Sequence, residues 1–90
     1  MPRYIIERNV PGVHRLNGEA LKNMAQRSNQ VLSELGPQVQ WVHSYVAPDK
    51  LFCVYISPNE EMIREHAKRG EFPIENVMPV RTVIDPTTGE

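Results

Sequence analysis

Residues 39–57, VQWVHSYVAPDKLFCVYIS, hold the only Trp and the only Cys of the chain, with two of its three Tyr and one of its three His. Two runs rich in β-branched and aromatic residues flank Ala47-Pro48-Asp49, the pattern of a β-hairpin. Pro48 cannot take positive φ, so a primed two-residue turn beginning there is excluded. A type I turn centred on Pro48 and Asp49, with Lys50 in a bulge, fits these residues. That three-residue loop sets Ala47 opposite Leu51, Tyr45 opposite Cys53 and His43 opposite Tyr55. Side chains alternate between faces. One face then carries Trp41, His43, Tyr45, Cys53 and Tyr55; the other carries Val42, Ser44, Val46, Phe52, Val54 and Ile56. The second face reads as core and the first as a site. A four-residue loop instead pairs Ser44 with Cys53 and His43 with Val54, which parts His43 from Cys53. The three-residue loop is preferred because it keeps one apolar face across both strands.

Upstream, Arg3 to Arg8 reads as a strand with Ile5 and Glu7 on one face and Tyr4 and Ile6 on the other. Asn9-Val10-Pro11-Gly12 breaks it, and His14 and Arg15 fall in an exposed loop. Asn17 caps a helix. Leu21, Met24, Ala25, Ser28, Val31, Leu32 and Leu35 form its buried stripe, with Met24 a core residue rather than a thioether ligand. Gly36-Pro37 stops it. Downstream of the hairpin, Ser57-Pro58-Asn59-Glu60 reads as a capping box with Pro at the first helical position. The second helix buries Met62, Ile63, His66 and Ala67 and ends at Gly70. Phe72 and Ile74 pin a connector to the core. Val77 to Ile84 reads as the last strand, and Pro79 places it at a sheet edge.

The order β-α-β-β-α-β is the split βαβ arrangement of an α+β, ferredoxin-like fold: a four-stranded antiparallel sheet with two helices on one face. Residues 1–86 make one domain, and residues 87–90 a polar tail. The other sheet face, carrying Ile5, Trp41, Tyr45, Tyr55 and Val83, is a large apolar patch with no segment left to cover it. A second copy covers it most economically, giving a homodimer in the form of a dimeric α+β barrel.

Ten Lys plus Arg stand against eleven Asp plus Glu, with no basic stripe. Nucleic acid is therefore not an expected partner. No apolar run is long enough to span a bilayer, and the start has no charged segment followed by an apolar one, so no membrane partner is expected either. The single Cys rules out an internal disulfide and fits a reducing cytoplasm.

The blocks QWVHSYVAPDKLFCVYISPNEEMIREHAKR and VRTVIDPTT, with YIIER near the start, resemble a family of small bacterial proteins catalogued as a domain of unknown function. WVHSYV and FCVY around a short turn are the most specific part of the likeness. The family has a ferredoxin-like fold, and one member is a nickel-binding protein. The resemblance thus implies the fold and, for this chain, binding of nickel or a similar divalent transition metal. It assigns no ligands residue by residue.

On the preferred register His43 and Cys53 are diagonal neighbours able to share an ion, and imidazole and thiolate suit nickel, copper or zinc. The plainer alternative is a small buried thiol beside a hydrogen-bonded imidazole. Tyr45, Tyr55 and Trp41 would line a cavity between two copies. Glu7 and Arg81, placed on the same face, would form an ion pair or clamp a small-molecule ligand there. His66 lies on the opposite side of the sheet, as a core histidine or as part of a surface metal site with Glu60, Glu61 and Glu65. No Ser-His-Asp order, Gly-rich phosphate loop or paired-carboxylate signature is present. Two functions remain open: sequestration or delivery of a metal, and an isomerase-like or oxygenase-like enzyme or binder using the dimer cavity. In the second, His43 is the general base and Tyr45 or Tyr55 the acid.

Overall fold

The computed structural model describes residues 1–90. Strands β1 (Arg3–Asn9), β2 (Gln40–Ala47), β3 (Lys50–Ile56) and β4 (Asn76–Pro79) alternate with helices α1 (Gly18–Leu35) and α2 (Glu60–Gly70) in the expected order. The sheet runs β2-β3-β1-β4, with every neighbouring pair antiparallel. This is the ferredoxin-like α+β arrangement, with both helices on one face. β4 is an edge strand, as Pro79 requires, but it stops there. Val80 still donates its amide to Arg3, and residues 81–85 leave the sheet.

The Asn17 carboxamide accepts from the Ala20 amide and starts α1, and Gly36, at φ 94°, ends it. The start of α2 differs from the expected capping box. Asn59 is the cap and accepts from Met62, while the Ser57 hydroxyl turns to the Asn59 carbonyl. Asn59 takes the role because its extended backbone aims its own side chain at the first-turn amides. Glu71, at φ 57°, closes α2. Gly70 serves another purpose: a Cβ there would lie 2.2 Å from the Phe72 ring, which packs against the glycine. The last residues form a 3-10 turn, Pro86–Gly89, with Asp85 and Thr88 capping each other.

The hairpin turn has two residues, and its register departs from the preferred one. Pro48 keeps its negative φ and Asp49 takes φ 61°, the signature of an unprimed type II turn. Asp tolerates that conformation. Here the Gly12 amide holds the Asp49 carboxylate at 2.8 Å, and the Asp49 amide donates to His14 Nδ1 at 3.1 Å. His14 is therefore a turn-anchoring residue in a short 3-10 segment, Val13–Arg15, rather than part of a free loop. Ala47 pairs with Lys50, Ser44 with Cys53 and His43 with Val54. A bulge between Trp41 and His43 then resets the pairing, so that Trp41 faces Tyr55.

The core lies between helices and sheet. It gathers Tyr4 and Ile6 of β1, Leu51, Cys53 and Tyr55 of β3, Ile63 of α2, and Val13 and Val39 from the connections. No helix is long and apolar enough to cross a membrane.

Candidate functional site

The register decides which expected site residues meet. Cys53 and Tyr55 turn towards the helices, 3% exposed each. His43 and Tyr45 turn to the opposite, helix-free face, where their rings meet edge-on at 4.9 Å. His43 and Cys53 therefore lie on opposite sides of the sheet, and the expected shared ion site between them does not form within the chain. The face expected to be core is split in the same way: Phe52 and Val54 sit on the helix-free face, whereas Ser44 and Val46 follow Cys53 and Leu51. Trp41 alone crosses with Tyr55, because the single extra residue of the bulge reverses the side on which it emerges.

Glu7 does lie on the helix-free face. Its partners are Lys50 and Asn76 rather than Arg81, which is exposed beyond the end of β4. Those two bonds, the Lys50 one foremost, hold the Glu7 carboxyl below its ordinary range. The alternative surface cluster also does not assemble. Glu60 pairs with Arg64 and Glu65 with Arg69 along the exposed side of α2, while Glu61 faces solvent and His66 points inward. No three His, Cys, Asp or Glu side chains converge anywhere in the chain.

A different group gathers under the helices. His66 is 1% exposed, with its ring 5.1 Å from that of Tyr55 and 5.3 Å from that of Phe72. The Ser28 hydroxyl of α1 lies 3.3 Å from His66 Nε2 and 3.5 Å from the Tyr55 hydroxyl. Burial lowers the His66 pKa to about 4, reinforced by the positive charge of Arg8, so the ring is neutral at pH 7. Burial likewise raises the Tyr55 pKa, against the hydrogen bond from Ser28 and the nearby Arg8. Arg8 completes the group from β1. It is 3% exposed, donates from Nη1 to the Pro73 carbonyl at 2.9 Å, and lies 5.5 Å from the Phe72 ring centre.

The sequence places Arg8 at the end of a strand and His66 either in the core or in a surface cluster with Glu60, Glu61 and Glu65, with nothing that connects the two. The available signal was the alternation Tyr4-Ile6-Arg8, which places a cation on the buried side of the first strand.

Residues 4–80 match the family described as nickel responsive protein SCO4226-like. The chain belongs to this family. The crystal structure of SCO4226 from Streptomyces coelicolor A3(2) is similar, with a TM-score of 0.74 and 14% sequence identity. The match covers 91% of this chain and 99% of that one. At such identity the likeness shows the shared fold. No curated protein matches the chain. The residues matched to the SCO4226-like family take in both helices, β2, β3, β4 and all of β1 but Arg3, and leave out the 3-10 turn at the C-terminus.

Proposed function

We propose that this protein binds a divalent transition metal, nickel or an ion close to it, for sequestration or delivery, with donors drawn from two copies of the chain. The observation that carries this reading is the match of residues 4–80 to a family described as nickel responsive. Nickel accepts imidazole nitrogen readily, and His43 is the exposed imidazole of the helix-free sheet face. One chain brings no three candidate donors together, so a second copy docked on that face is the simplest source of the rest. Cys53, buried on the other side, takes no part.

Calorimetry with nickel on tag-free protein, with elemental analysis of the same preparation, tests the reading. His43→Ala is expected to weaken nickel binding by at least about tenfold, and Cys53→Ser to leave it unchanged. Uptake should also fall as the solution acidifies below neutrality, because protons compete with the metal for a ligating imidazole. Wild-type affinity in His43→Ala would move the site elsewhere, and no uptake by the wild type would remove the proposal.

A further inference from the structure

Helix α1 stands off the sheet. Of its 18 residues only Ser28 and Val31 are buried, and the stripe residues Leu21, Met24 and Ala25 stay partly open. Between the helix and the sheet lies a cleft of about 960 Å³. Leu51, Cys53 and Tyr55 of the sheet, Met24 and Ser28 of α1, and Trp41 and Phe72 line it. Its size is that of a small-molecule site. Half of its lining residues are apolar; the charged ones are Arg27 and Glu71, which pair with each other, and Arg8, which decides the chemistry.

Arg8 lines the cleft and is 3% exposed. Its Nη2 is buried and has no hydrogen-bond partner. Four Lys or Arg side chains pair with carboxylates in the chain, and Arg8 is not among them. A buried guanidinium costs several kcal/mol unless paired, and buried charges in folded proteins are normally paired. Its natural partner is a carboxylate, which accepts from the guanidinium fork in a fixed geometry. The Tyr55 and Ser28 hydroxyls, 3.5 Å apart, line the same cleft and can donate to the same anion.

We propose that the cleft between α1 and the sheet binds a small monocarboxylate with an aromatic or branched apolar body, its carboxylate held by Arg8 Nη2 and its body against Met24 and Trp41. Phe72, stacked over the guanidinium, shields it and turns aside as the ligand enters. The site is independent of the metal reading, since His43 lies on the other side of the sheet.

The test uses 2-naphthoate and its neutral counterpart 2-naphthamide on the full chain with a chelator present. Binding is followed by calorimetry and by quenching of Trp41, the only Trp. Naphthoate is expected to bind at least ten times more tightly than the amide. Arg8→Met should bring that ratio to near one, while His43→Ala should leave naphthoate binding as in the wild type. Met24→Phe, which fills the cleft without touching Arg8, should weaken both ligands, and it keeps the test decisive if Arg8→Met does not fold. Equal binding of acid and amide by the wild type, no binding at millimolar concentration, or wild-type binding in Met24→Phe would each overturn the proposal.

Discussion

At the scale of single residues, His66 couples the core to pH. Its pKa is about 4 in the folded chain, against about 6.5 for an unfolded histidine. The folded state therefore prefers the neutral ring. The stability this provides is fully present above about pH 6.5 and is lost as pH falls towards 4. By pH 5 the unfolded chain has taken up the proton and the folded one has not, a loss of about 2 kcal/mol. Urea midpoints should fall between pH 7 and 5, and His66→Gln should flatten the fall. A slope unchanged in that variant would place its origin elsewhere. Gly70 gives a second residue-scale prediction. A methyl group there meets the Phe72 ring, so Gly70→Ala should destabilise by about 1–3 kcal/mol despite alanine's better helix propensity. Equal or higher thermal stability would show that the ring moves aside freely.

At the scale of elements, the β2–β3 hairpin sets the chemistry of both sheet faces. Its two-residue turn is fixed from outside, by the Gly12 amide on the Asp49 carboxylate. Asp49→Ala removes that bond and leaves a β-branch-free but unassisted residue at positive φ, at a cost of about 1–2 kcal/mol in urea unfolding. Asp49→Gly should cost less, because glycine takes the conformation without strain. The bulge at Val42 is the second device. Deleting Val42 removes the extra residue and sets Trp41 directly beside His43, so strict alternation should keep the indole opposite Tyr55 on the helix side. The indole emission maximum should then stay where it is in the wild type. A shift to longer wavelength would mean that the strand slips by one residue instead of closing the bulge.

At the scale of the whole molecule, the helix-free face presents Ile5, Phe52 and Val54 in the middle, with Tyr45 60% and Met78 42% exposed at its sides. Its composition differs from the expected one, since Trp41 and Tyr55 have gone to the helix side and Val83 lies beyond the strand. An apolar strip across the whole sheet remains, and a second copy of the chain is its expected cover. Light scattering at micromolar concentration should give about twice the chain mass, and Tyr45→Glu, which sets a charge in the contact, should give the single-chain mass. A wild-type monomer would also remove the two-copy metal site, whereas the cleft proposal would stand.

Element type and order were legible in the chain because they follow from local rules. Helical spacing marked α1 and α2, Asn17 and Gly36 marked the ends of α1, and Pro79 marked an edge. Membership of strand and helix determined the ferredoxin-like topology, and with it the existence of one uncovered sheet face. The face of each hairpin side chain was not legible, because period-two alternation turns a one-residue error into a complete exchange of sides. Two contacts distant in sequence removed that ambiguity: the Gly12 amide that lets Asp49 take positive φ, and the pairing of β3 with β1 that sends Cys53 and Tyr55 towards the helices with Ile6 and Tyr4. The same holds for Arg8. Its place in the first strand could be read directly, but its lack of any counter-charge depends on where the connector, α1 and β3 come to rest around it. Only the tertiary structure decides that, since burial and pairing are properties of neighbours rather than of the residue itself.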